Sequence, residues 1–274
     1  MKQATKFIAS LAFAGLSLAA FSCQQSAKAD TNTVKTEAPK DAKPQKLAAE
    51  KLDSGARVVY LTFDDGPLPG SEALQKIVLE KKFKASVFVV GKHTKNGRNS
   101  LRVVSDFMKN PYVDVCNHSY THANNQYDSF YKNDEAALAD FQQNQKELAL
   151  ENKIIRLPGR QLWALPTRDL YMKSSGGKTA ERLRQDGYKV YGWDVEWHGK
   201  GTAPKETADQ LMVEIDNMFQ NDRTFTRNNL VVLAHDPMFS KPEGAQELAK
   251  LVDLLRAKGY ILENIRHYPE KDIM

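Results

Sequence analysis

The sequence predicts an α/β fold, a parallel sheet or barrel with helices outside it. Two observations carry this expectation. From residue 57 onward, seven short runs rich in β-branched and aromatic residues alternate with amphipathic stretches of helical length, and strands that alternate with helices assemble into parallel sheets. The chain of 274 residues is also long enough, because α/β barrels often run to about 250 residues as one unit.

Residues 1–22 read as a signal peptide. Lys2 and Lys6 give a basic start, and Phe7 to Phe21 is an apolar run sprinkled with Ala, Gly and Ser, too short for a membrane span. The run ends in Ala20-Phe21-Ser22-Cys23. This resembles the lipobox of bacterial lipoproteins, in which the signal is cut before a Cys whose thiol takes a lipid. That pattern usually has Leu three positions before the Cys, and Ala20 departs from it. Residues 23–50 then form a lipid-bearing Cys23 and a tether, because Lys, Ala, Thr, Gln and Pro dominate and such a segment buries too little to offset its ordering entropy. The expected location is outside the cytoplasm: a membrane-anchored lipoprotein of the cell envelope, facing the periplasm or held in the outer membrane if the cell is Gram-negative. Two cysteines do not make a disulfide scaffold, and Cys116, close to Val113 and Val115, reads as a small buried filler.

The folded domain is expected over 51–274. Its β-rich runs are Arg57–Phe63, Ala85–Val90, Tyr112–Cys116, Lys153–Arg156, Tyr188–Val195, Leu230–His235 and Tyr260–Ile265. Helical patterns occupy Ser71–Lys82, Leu101–Lys109, Asp134–Leu150, Thr179–Gln185, Thr207–Phe219 and Gly244–Lys258. Gly187 and Gly259 follow two of these, where a left-handed cap is wanted. The charge is mildly basic, +5 from 39 Lys and Arg against 34 Asp and Glu. The basic residues are spread out rather than gathered in a stripe, which argues against a nucleic-acid partner.

Ionisable residues collect at the carboxyl ends of these strands: Asp64-Asp65, His118, Arg156, Asp194 with Glu196, and His235. Parallel α/β barrels build their sites at that face. His118 and His122 are spaced i, i+4, which on a helical turn puts both rings on one side. One carboxylate from Asp64 or Asp65 completes a two-His, one-carboxylate set suited to a catalytic divalent ion. Adjacent residues of an extended segment point to opposite sides. One carboxylate then binds the ion while the other takes a proton from water whose pKa the ion brings towards roughly 7. Asp-Asp-Gly-Pro is equally good turn chemistry.

Five segments together resemble the NodB-like polysaccharide deacetylases, carbohydrate esterase family 4. They are Thr62-Phe63-Asp64-Asp65-Gly66-Pro67, His118-Ser119-Tyr120-Thr121-His122, Arg156-Leu157-Pro158-Gly159-Arg160, Trp193-Asp194-Val195-Glu196-Trp197 and Leu233-Ala234-His235. They stand in the family's order and span nearly the whole folded part. The resemblance implies a distorted (β/α)7 barrel and hydrolysis of acetyl groups, mostly N-acetyl, from an acetylated glycan. It implies Asp65, His118 and His122 as metal ligands, Asp64 as catalytic base, His235 as the acid that protonates the leaving amine, and Arg156 as the organiser of the acidic cluster. Zn²⁺ is the expected ion, and Co²⁺, Ni²⁺ or Mn²⁺ are tolerated by such ligands. Two departures stand out. The third motif has Gly159 where the family carries Tyr, so the amide that helps hold the oxyanion survives while the aromatic wall is missing, and Arg160, Trp163 or Tyr171 are the candidates to rebuild the rim. The fourth has Glu196 before Trp197 with Asp194 two residues back, so either carboxylate is a candidate partner for His235. Trp193, Trp197 and Leu233 are expected to wall the acetyl-methyl pocket or else to pack in the core. His93, His198 and His267 read as surface or supporting residues. An O-acetyl esterase and a non-catalytic sugar-binding envelope protein are the alternatives, and the complete set of ligand, base and acid residues argues against the second.

Overall fold

The computed structural model describes residues 45–53, 55–168, 170–172 and 175–270. The signal segment, Cys23 and the tether up to residue 44 lie outside the described residues. No helix among the described residues is long and apolar enough to cross a membrane.

Eight parallel strands form one curled sheet: β1 (Val58–Asp64), β2 (Ala85–Val89), β3 (Val113–Asn117), β4 (Ile154–Ile155), β5 (Lys189–Val190), β6 (Val195–Glu196), β7 (Asn229–His235) and β8 (Ile261–Leu262). Their order is β5-β4-β3-β2-β1-β7-β6, and β8 pairs the start of β1. The helices are α1 (Ser71–Lys81), α2 (Arg98–Lys109), α3 (Tyr127–Phe130), α4 (Asp134–Glu147), α5 (Gly177–Gln185), α6 (Ala208–Gln220) and α7 (Pro242–Ala257). This is the distorted barrel that the resemblance implies. Thr207 caps α6 with a reciprocal capping box to Gln210, which supplies partners for amides the helix leaves open. Gly187 and Gly259 both have positive φ.

Side-chain alternation along β1 sorts the two faces. Val59, Leu61 and Phe63 face outward into a core shared with α1, α2, α6 and α7. Val58 and Tyr60 face the interior with Phe88, Cys116, Trp163, Tyr191 and Val231. The same period places Thr62 and Asp64 on the inner face at the carboxyl end. β7 runs beside β1 in full register, from Val58 opposite Asn229 to Asp64 opposite His235.

Two expectations are corrected. The run Tyr188–Val195 is not one strand but the two opposite edges of the sheet, β5 and β6. Between them the chain passes Gly192, where an added Cβ would lie 2.3 Å from Gln161 Oε1 and 2.5 Å from Trp163 Nε1. The barrel stays open there because side chains from the Gln161–Trp163 segment fill the gap. The tether also ends earlier than residue 50. Lys46 Nζ donates to the carbonyls of Met108, Asn110 and Val113 at 2.7–2.8 Å, Lys84 Nζ donates to Ala48 O at 2.7 Å, and Glu50 N–H donates to Glu263 Oε2 at 2.7 Å. A composition-based reading misses this because the segment is held by hydrogen bonds, not by apolar burial. Partial burial among these groups lowers the Lys46 pKa to about 8.

Candidate active site

The site begins with a turn. Asp64 closes β1 pointing inward and is 2% exposed, and Asp65 has φ 76. That left-handed residue ends the strand's alternation. The two carboxylates therefore do not point to opposite sides as expected but converge: His118 Nε2 lies 3.5 Å from Asp64 Oδ2 and 3.5 Å from Asp65 Oδ1. Beyond them Gly66 admits Asp236, because a Cβ there would lie 2.7 Å from Asp236 Oδ2.

The histidines meet by another route than a helical turn. Ser119, His122, Ala123, Asn124 and Asn125 all have positive φ, a left-handed loop that short polar residues tolerate best. Helix α4 clamps it: Asp140 Oδ1 accepts the amides of Tyr120 (2.7 Å) and Thr121 (3.1 Å), and Asn117 Oδ1 accepts Ser119 N–H and Asn144 Nδ2. The His118 and His122 ring centroids are 5.2 Å apart. His118 Nδ1 donates to Arg156 O at 3.0 Å, and His122 Nδ1 donates to Asn125 Oδ1 at 2.9 Å. Both tautomers then leave Nε2 free for a ligand, the arrangement that outer partners impose on metal-binding imidazoles.

Asp65 Oδ1 lies 3.0 Å from His122 Nε2, and among the described residues no hydrogen-bond donor serves this buried oxygen. Asp65, His118 and His122 offer ligand atoms all within 4.8 Å of one another. A buried acceptor facing two imidazole nitrogens is the donor set of a divalent-cation site, so these residues fit the group. Burial pushes the Asp65 carboxyl up, but its contacts with the two imidazoles outweigh this and hold it well below the usual range. Burial pushes His122 down, and the Asp65 contact more than reverses it.

Arg156 anchors Asp64. It is fully buried and donates to Asp64 Oδ1 at 2.9 Å, Thr62 Oγ1 at 2.7 Å and Gly192 O at 2.9 Å, while its guanidinium lies 4.4 Å from the Phe88 ring. His235 stands directly across from Asp64 and is partly exposed.

The remaining expected residues divide. Asp194 does not reach His235: its Oδ1 accepts Phe225 N–H at 2.6 Å and its Oδ2 accepts Val231 N–H at 2.7 Å. Glu196 stands opposite Leu233, two residues short of His235. Among the described residues no ion pair joins His235 to either carboxylate. Trp197 is a core residue, not a substrate wall: it is unexposed, packs edge-on against Phe239 at 5.8 Å and donates to Glu206 O. Trp193 and Leu233 stay at the barrel mouth, the former half-buried with its ring 5.9 Å from Arg156. Arg160 is committed internally, donating to Asp128 Oδ1 (2.6 Å), Ser175 Oγ (3.0 Å) and Gly159 O (3.0 Å). Its amide donates to Leu157 O, so of the two amides considered for an oxyanion only that of Gly159 is left without a partner among the described residues. Trp163 stacks on Phe225 at 4.3 Å in the core.

Two residues enter that the sequence analysis left aside, Tyr127 and Asp236, while His93, expected as a surface or supporting residue, takes a supporting place. His93 donates from Nδ1 to Asp65 O at 2.7 Å and lines, with Asp65, Lys92, His122 and Asn124, a cleft of about 430 Å³. It lies only four residues past the end of β2, so the strand-end rule reaches it. Tyr127 packs edge-on against His122, centroids 5.7 Å apart. Asp236 is fully buried, takes a hydrogen bond from Ser71 Oγ, and has no partner for Oδ1 among the described residues.

Burial, reinforced by Asp65 and Asp64, raises the Asp236 pKa to about 8. The unfolded chain releases this proton near the ordinary carboxylate value of about 4. Between those values the folded state holds the extra proton, so stability falls as pH rises from about 4 to about 8. Urea midpoints of chelator-treated protein should fall over that range, and Asp236→Asn should flatten the slope. An equal slope in the variant would remove Asp236 as its source.

A sequence model described as polysaccharide deacetylase matches residues 51–168. No curated protein matches the sequence. Among solved structures, the catalytic domain of peptidoglycan N-acetylglucosamine deacetylase from Eubacterium rectale is similar at 22% identity and TM-score 0.57, over 83% of this chain and 97% of that one. A carbohydrate esterase family 4 esterase of Streptococcus mutans is similar at 17% identity and TM-score 0.59, over 76% and 85%. A polysaccharide deacetylase of Bacillus cereus is similar at 22% identity and TM-score 0.53, over 78% and 100%. At these identities the structures speak for the fold alone. The sequence model thus covers less than half of the 274 residues, and the fold is the one these deacetylase and esterase structures share.

Proposed function

We propose that the protein removes N-acetyl groups from N-acetylhexosamine units of an envelope or extracellular polysaccharide, releasing acetate, with a divalent cation held by Asp65, His118 and His122. The observation that carries this reading is the buried, donor-free Asp65 Oδ1 facing two Nε2 atoms whose partner nitrogens are already engaged. A bound cation supplies Lewis acidity to the carbonyl and acidifies water.

The chain's own groups divide the rest. Asp64 accepts the proton of the attacking water at Oδ2, because Arg156 occupies Oδ1. The Gly159 amide donates to the developing oxyanion. His235, across from Asp64 on the neighbouring strand, delivers a proton to the leaving nitrogen. Leu233 and Trp193 shield the acetyl methyl group. Zn²⁺ is the ion that two imidazoles and a carboxylate suit best. The same reading includes export and attachment through a lipid on Cys23, supported by the basic start, the short apolar run and the Cys that follows it.

Acetate release from N-acetylglucosamine oligomers, peptidoglycan and acetylated xylan tests this. Release from the N-acetyl substrates should vanish with chelator and return with Zn²⁺. Release from xylan alone would replace the amidase reading with an esterase, and release unaffected by chelation would remove the cation.

A further inference from the structure

Tyr127 and Gly159 come from different loops and meet beside the site. A Cβ on Gly159 would lie 2.9 Å from Tyr127 Cε2 and 3.0 Å from its Cδ2 and Cζ, closer than packed carbons tolerate. The ring therefore fills the space a side chain at 159 would leave through. The same ring meets His122 edge-on, at 5.7 Å and 87°. Its hydroxyl lies 3.5 Å from Asn125 Oδ1, the oxygen that accepts His122 Nδ1. Behind it, the Arg160 guanidinium sits 5.6 Å from the ring centre and is itself pinned by Asp128 and Ser175. Tyr127 is half-buried, and none of the steps above uses it.

We propose that Tyr127 is a positioning residue, a spacer wedged between His122 and the Gly159 peptide that sets the cation ligand and the oxyanion donor relative to each other, and that position 159 is glycine because this ring takes its side-chain space. The proposal rests on reading His122 as a ligand and the Gly159 amide as a donor. The ring is the operative part. It stands perpendicular to the His122 ring and crowds Gly159, whereas among the described residues the hydroxyl makes one long contact.

Zinc competition titrations and steady-state deacetylation of Tyr127→Phe, Tyr127→Ala, Gly159→Ala and the double Ala variant test it. Partners that orient metal-binding imidazoles are worth about 10–100-fold in affinity or activity. Tyr127→Ala should weaken Zn²⁺ binding about 10-fold and lower kcat with KM little changed, and Tyr127→Phe should restore both. Gly159→Ala touches no ligand, yet it should weaken Zn²⁺ binding by displacing the ring, and that effect should disappear when Tyr127 is already Ala. The strain of a side chain at φ 64 is common to both backgrounds and cancels in the cycle. Parental Zn²⁺ affinity in Tyr127→Ala, failure of Phe to rescue, a rise in KM alone, or additive single effects would each overturn the proposal. The titration needs no substrate, so it remains decisive even if no acetylated glycan proves to be cleaved.

Discussion

Replacing Asp64 with Asn should lower acetate release by about 10²–10⁴, the usual contribution of a positioned general base, while Zn²⁺ affinity stays near parental. The expectation follows from how the two adjacent carboxylates are used. Asp65 presents a buried oxygen without a donor to His118 and His122, whereas Asp64 has one oxygen on Arg156 and the other facing His118. Asn keeps the shape and a carbonyl oxygen but cannot accept a proton from water. Asp65→Asn should behave differently, losing cation affinity first and activity as a consequence. Rate constants measured at saturating Zn²⁺ separate the two: added ion should recover much of the Asp65→Asn activity and none of the Asp64→Asn activity. Asp64→Asn turning over at near-parental rate would assign the base elsewhere, and parental Zn²⁺ affinity in Asp65→Asn would remove it from the ligand set.

Much of this arrangement is legible in the residues themselves. The inward position of Asp64 follows from period-two alternation along Val58–Asp64, and its neighbour across the sheet, His235, ends the strand expected to end there. Alternation also bears on Trp197. If Asp194 and Glu196 face inward, Val195 and Trp197 face the helices, where both are found. Of the two places open to Trp197, wall or core, alternation therefore favours the core. What period rules do not reach are residues after a strand has ended. Asp65 leaves the alternation through its left-handed φ, and the His118–His122 spacing works through a run of left-handed residues rather than a helical turn. Such loops are specified by partners distant in sequence, here Asp140 and Asn144 of α4, and no local pattern announces them. Tyr127 is hidden for the same reason. Its place depends on a glycine far along the chain having no side chain.

The largest stability effect should come from Arg156→Met. Arg156 is fully buried, and Asp64 beside it is 2% exposed. Removing one partner of a buried ion pair typically costs about 3–5 kcal/mol, since the other charge is left uncompensated in a medium of low polarity. Here the guanidinium also serves Thr62 Oγ1 and the carbonyls of Tyr191 and Gly192, and unserved buried acceptors add to the cost. For a domain of this size the melting temperature of chelator-treated protein should drop by roughly 10 °C. The double variant Asp64→Asn/Arg156→Met discriminates between charge and packing. If the cost arises from the orphaned carboxylate, neutralising it should return a substantial part of the loss, and the two single effects should sum to more than the double. If it arises from the carbonyls and from the contact with Phe88, the double variant should be as unstable as Arg156→Met alone. The first outcome is expected, because among the described residues the carboxylate is the one charged group that Arg156 contacts. It would mean that the strand-end arginine is retained as the partner of a buried carboxylate beside the cation site, at a position where an apolar residue would otherwise pack.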